Sequence, residues 1–83
     1  MKFQSYQQAV RWLESIGGRV DGPRRKTDGY DAVTVFIPGH RLERTGLIDR
    51  ALTAADRERA VKEAIRDACD ELRAAGAERL VRG

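Results

Sequence analysis

Apolar residues recur along the chain first at helical spacing, then at strand spacing, then at helical spacing again. Tyr6, Ala9, Val10, Leu13 and Ile16 fall at steps of three and four, which gathers them on one face of a helix. Ser5 followed three residues later by Gln8 reads as a capping box, in which hydroxyl and amide each satisfy a backbone N–H left unpaired at a helix start. Gly17-Gly18 supplies the left-handed stop, so the pattern predicts a first helix over about 6–16.

Strand-like runs follow on either side of Asp28-Gly29, a pair that favours a type I′ hairpin turn with positive φ at both central residues. With Thr27 opposite Tyr30, the two-residue period assigns Val20, Val33, Val35 and Ile37 to one face, with Lys26 opposite Asp31 near the tip. Arg19, Arg25, Thr27, Tyr30, Ala32, Thr34 and Phe36 fall on the other. The first face reads as the core side and the second as a wet or partner-facing surface. Gly22 and Pro23 weaken the first strand and place it at a sheet edge or on a bulge.

Ile37-Pro38-Gly39-His40 fits a type II turn, after which a third strand is expected at Arg41–Thr45, with Gly46, Leu47 and Ile48 returning the chain to the core ahead of a short polar link. Thr53 and Asp56 repeat the capping logic. Val61, Ala64, Ile65, Ala68, Leu72 and Ala75 form an apolar stripe, predicting a long helix to about Ala75 with Gly76 as its stop. Glu78–Arg82 is expected to add a short edge strand or to trail. The fold class that follows is α+β. Two layers are expected, an antiparallel sheet of two to four strands with two helices on its Val20/Val33/Val35/Ile37 face, in the order helix, strand, strand, optional strand, helix, optional strand.

Length adds that 83 residues suit one domain with one core. The hydrophobic share of 41% against 35% charged residues is that of a globular chain rather than a disordered one. Cys69 is the only cysteine, which excludes an intrachain disulfide and any paired-cysteine zinc site and suits a reducing compartment. No run is apolar enough to span a bilayer, and Met1–Ser5 lacks the apolar centre of a signal peptide, so a cytoplasmic location is expected.

The net charge of +3 sits in the front half, where residues 1–50 hold nine Lys/Arg against six Asp/Glu. It is sharpest between Arg19 and Lys26, where Arg19, Arg24, Arg25 and Lys26 face only Asp21.

Catalysis requires converging groups, and none can be assembled from this chain on paper. His40, the only histidine, follows Pro38-Gly39 in a turn and reads as a surface residue. Cys69 flanks the stripe of the long helix and reads as a small core hydrophobe. Asp56, Glu58, Glu63, Asp67, Asp70 and Glu71 alternate with Arg57, Arg59, Lys62, Arg66 and Arg73, the pattern of a solvated, salt-bridged helix face. No phosphate-binding glycine loop is present, because Gly17-Gly18 ends a helix rather than opening one. An enzyme is therefore not expected, nor a metal or cofactor. Trp12 lies about 100° around the helix from Leu13, at the flank of the stripe, where it either closes the core or anchors an interface.

A helix, two or three antiparallel strands and a second helix, with Gly22-Pro23 between the early strands, resemble the double-stranded-RNA-binding domain over about residues 5–75. That family opens its second helix with lysines that grip phosphates. Here the same place reads Thr53-Ala54-Ala55-Asp56-Arg57-Glu58, so the resemblance implies a topology and not an activity.

The functional expectation is a non-catalytic binding module. Its binding residues are Arg19, Arg24, Arg25, Lys26, Tyr30 and Phe36, cations interleaved with aromatics, meeting nucleic acid or an acidic protein surface. The alternative is a protein-interaction or regulatory module, or a homodimer, that uses Trp12 or an exposed sheet edge; charges on an edge strand also serve simply to block aggregation.

Overall fold

The computed structural model describes residues 2–82. The elements are α1 (Tyr6–Ser15), β1 (Arg19–Thr27), β2 (Tyr30–Ile37), β3 (Leu42–Asp49), α2 (Ala54–Ala74) and α3 (Ala77–Arg82). The strands form one antiparallel sheet in the order β1-β2-β3. This is the expected α+β arrangement, with the helices on one sheet face and the other face open.

Local chemistry accounts for the helix ends. Ser5 Oγ accepts from the Gln8 N–H at 3.2 Å, while the Gln8 side chain reaches the Gln4 N–H rather than that of Ser5. The stop is a full Schellman closure: Gly18 N–H bonds the Leu13 carbonyl at 2.8 Å, Gly17 N–H bonds that of Glu14 at 3.1 Å, and Gly17 takes φ +77°. Thr53 caps α2 through the Asp56 N–H at 3.3 Å.

The alternation of β2 decides the sheet's inner face. Asp31, Val33, Val35 and Ile37 are buried, whereas Tyr30, Ala32, Thr34 and Phe36 are not. The buried row meets Ala9, Leu13 and Ile16 of α1, Ile48 of β3, and Ile65, Ala68, Cys69 and Leu72 of α2 in one apolar cluster, closed at its rim by Phe3 and Ala77. Among the described residues no helix is long and apolar enough to cross a membrane.

Five local expectations need correction. The hairpin turn is not type I′, because Gly29 takes φ +104° while Asp28, like every other described non-glycine residue, keeps a negative φ. The strands compensate by two register shifts in β1, one at Lys26 and one at Gly22-Pro23. The first puts Arg25, not Lys26, opposite Asp31, and Arg24, not Arg25, on the outer face opposite Ala32. The second restores the original faces, so that Val20 pairs with Val35 and Arg19 with Phe36.

Val20 nevertheless stays 39% exposed, since β1 hangs beyond the helices as a surface ribbon. The third strand runs on to Asp49, and Gly46 lies inside it because α2 passes so close that a Cβ there would stand 2.9 Å from that of Ala64. The tail is a helix, not a strand: Ala77 and Val81 fall at i, i+4 on one face and pack on the core, and Glu78 pairs with Arg82 at 3.7 Å.

Candidate functional site

The open sheet face is the surface expected to carry the aromatics, and it does. Tyr30 is 45% exposed there and Phe36 is half-buried. They are six residue steps apart along β2, about 20 Å, so they stand at opposite ends rather than forming one stacking platform. Arg19 lies across from Phe36 at one end; Arg24, Arg25 and Lys26 gather at the other, near Tyr30.

Two of these cations are already engaged. Arg24 Nε lies 2.8 Å from Asp21 Oδ1, and Arg25 Nη2 lies 3.1 Å from Asp28 Oδ1, all on exposed side chains. Arg19 and Lys26 have no ion-pair partner among the described residues. The register also brings Asp21, Glu43 and Asp49 onto the open face, which is therefore not basic as a whole. Between its ends run Thr34 and Thr45, joined through their hydroxyls at 3.0 Å, and Leu47, 59% exposed.

Beneath the hairpin tip lies a polar knot that the spacing of residues did not reveal. Asp31 is the one charged residue in the buried set, and Arg57 of α2 donates to it while the Arg50 guanidinium stands 3.8 Å away. Arg50 also donates its backbone N–H to the Gly29 carbonyl at 2.9 Å and its side chain to the Thr27 carbonyl. The turn between β1 and β2 is thus held from below by the linker that follows β3.

The charges of α2, which alternate in sequence, separate in space. At about 100° per residue, Arg59, Lys62, Arg66 and Arg73 fall on the flank that faces α1, and Glu63, Asp67 and Glu71 fall towards β3. On the α1 side, Tyr6 lies among Arg59, Lys62, Glu63 and Arg66, with the Lys62 ammonium 5.7 Å from its ring centroid and 3.3 Å from Glu58. The Arg66 Nε is buried with no acceptor. A second depression of about 330 Å³ joins Tyr6 and Val61 to Arg57, Lys62 and Pro23. Of the hairpin only Pro23 borders this depression; its neighbour Arg24 stands on the open sheet face. Arg59, Lys62 and Arg66 went unremarked as binding residues because linear alternation hides what their i, i+3, i+7 spacing places on one line.

The remaining candidates lie apart from these surfaces. Cys69 is fully buried, and burial, with Asp70 adding to it, pushes its thiol up to about 11. His40 is exposed in the turn, its N–H on the Ile37 carbonyl at 3.1 Å. Trp12 stacks obliquely on Phe3, 5.4 Å between centroids, and donates its indole N–H to Glu78, so it seals the core between α1 and α3. Among the described residues no cluster of His, Cys, Asp and Glu is arranged to hold a metal ion. No family model, curated protein or solved structure matches the chain.

Proposed function

We propose that the chain is a non-catalytic nucleic-acid-binding module. Its contact surface runs from Arg24, Arg25 and Lys26 of the hairpin, past Pro23, to Arg59, Lys62 and Arg66 on the α1-facing flank of α2. The observation that carries the reading is the gathering of Arg59, Lys62 and Arg66 about Tyr6 on one flank of α2, with Pro23 of the hairpin bordering the neighbouring depression. Cations along a groove neutralise phosphates and release counterions, and the half-buried Tyr6 ring among them offers its outer edge for contact.

Fluorescence anisotropy with short labelled duplex and single-stranded RNA and DNA, at two salt concentrations, tests the proposal. Binding that weakens steeply with salt and shifts the amides of Tyr6, Arg24–Lys26 and Arg59–Arg66 supports it. Undetectable binding at low salt, where phosphate contacts are strongest, overturns it.

A second reading rests on the open sheet face, where Tyr30 and Leu47 stand in solvent. It makes the chain a protein-interaction or regulatory module, or a homodimer. Amide shifts confined to Tyr30–Phe36 and Glu43–Asp49 would favour it, and a scattering mass that stays at 9.3 kDa across concentrations eliminates the homodimer.

A further inference from the structure

The two edges of the sheet are built differently. β1 carries two bulges, Pro23 and a run of cations, all of which obstruct pairing with another strand. β3 carries none of these: its eight residues pair with β2 in unbroken register, and no strand lies beyond it. The Arg50 N–H bonded to the Gly29 carbonyl fixes the phase of that ladder. Hydrogen-bonded pairs alternate with non-bonded ones, so Ile48, Gly46, Arg44 and Leu42 spend their backbone groups on β2. Those of Glu43, Thr45 and Leu47 point away from the sheet.

Beside this free edge lies a groove of about 390 Å³ between β3 and α2. Its floor is made of small residues, Gly46, Ala60, Ala64 and Ala68, and its far wall is the acidic flank of α2. Glu71 is engaged by Arg44 at 3.6 Å, but Glu63 and Asp67 have no ion-pair partner among the described residues.

We infer that β3 accepts an extended basic peptide as a fourth strand. Charge and spacing both select this occupant. Glu63 and Asp67 are one helical turn apart, about 6 Å along the axis, and alternate residues of a strand rise by about 6.6 Å. Two Lys or Arg residues at i and i+2, opposite Gly46 and Ile48, therefore face the two carboxylates. A third cation opposite Arg44 is disfavoured by like charge. The intervening residues pair with Glu43, Thr45 and Leu47 and look out on the open face, where β-branched residues fit. Main-chain hydrogen bonds supply the affinity of such an addition and the alternating side chains its selectivity. Asp67 and Glu71 lie on the opposite flank of α2 from the proposed nucleic-acid surface, whereas Glu63 stands on the crest and borders both depressions; neither proposal depends on the other.

The test uses the full chain with a blocked peptide of alternating Val and Lys, its Val/Glu counterpart, and a Val/Lys peptide N-methylated at alternate residues. Expected are amide shifts and slowed hydrogen exchange at Glu43, Thr45 and Leu47 with the Val/Lys peptide alone. E63Q and D67N each weaken that binding about two- to fivefold, and D67N leaves nucleic-acid binding unchanged. No change at these three amides at millimolar peptide overturns the inference. So does equal binding by the N-methylated peptide, or by the Val/Glu peptide. Protection of the three amides without peptide, together with a doubled mass, overturns it in favour of a second copy of the chain on this edge.

Discussion

Arg57, in the first turn of α2, donates to the carboxylate of Asp31, the second residue of β2, and so pins the start of the long helix beneath the hairpin tip. Asp31 ends the inward row that continues as Val33, Val35 and Ile37. A carboxylate in that row is tolerated because the arginine meets it there. Its own side chain is 10% exposed and that of Arg57 34%, so water reaches only one partner freely.

Removing either partner should therefore be costly. Arg57→Ala leaves a buried carboxylate with only the more distant Arg50 and is expected to lose about 1–3 kcal/mol in urea unfolding. Asp31→Ala falls in the same range. Because the two share one interaction, the double variant should lose less than the sum of the singles by about 1 kcal/mol. Additive losses would show that the contact contributes nothing of its own.

The approach of β3 to α2 sets a second expectation. A Cβ at Gly46 would stand 2.9 Å from that of Ala64, too close for either to keep its place. Gly46→Ala should cost about 1–3 kcal/mol by overpacking. Ala64→Gly in the same chain should recover part of that loss despite the lower helix propensity of glycine. A Gly46→Ala protein as stable as the parent in urea would mean that the helix stands off further than described.

How legible these features were depends on the range of the interaction behind them. The inward row of β2 was readable because alternation is local, and the long helix because its stripe repeats at fixed steps. The bulge at Lys26 was not: it follows from the backbone that Asp28 adopts, and either turn geometry suits the same two residues. Gly46 read as the start of the return to the core, past the strand's end, because nothing nearby in sequence announces Ala64, eighteen residues on. Asp31, Arg50 and Arg57 join three separate elements, and no spacing rule links them. By contrast, the sorting of charge around α2 was open to a helical projection of the sequence, and the alternation of signs obscured it. The tail shows the same contrast, since Ala77 and Val81 have helical spacing but too few repeats to carry it alone.

Cys69 offers a pH test. Its thiol ordinarily ionises near 9.0 and is pushed up to about 11 in the folded chain, chiefly by burial. The folded state therefore holds its proton where the unfolded state releases it. That contribution to stability is whole below pH 9 and declines as pH rises towards 11. Cys69→Ala should flatten this decline in thermal melts, although it also removes core packing at every pH. Native protein at pH 8 should resist alkylation by iodoacetamide, and protein in denaturant should react. Rapid labelling of the native chain would contradict the burial of the sulfur.

The nucleic-acid reading makes the sharpest demand, because it predicts which charges matter as well as that charge matters. Arg24 and Arg25 already have aspartates within 3.1 Å, so a phosphate must compete with those exposed pairs. Lys26 and Arg66 have no such competitor among the described residues, and Arg59 is only loosely held by Asp56 at 3.9 Å. Replacing Lys26, Arg59 or Arg66 by Gln should each lower the slope of log affinity against log salt by about 1. Arg24→Gln and Arg25→Gln should change it less, since each arginine is already paired with an aspartate and is less available to a phosphate. A slope that responds equally to all five substitutions would mean that only net charge is being felt. A slope that responds to Arg24 and Arg25 alone would move the contact onto the hairpin and off the flank of α2.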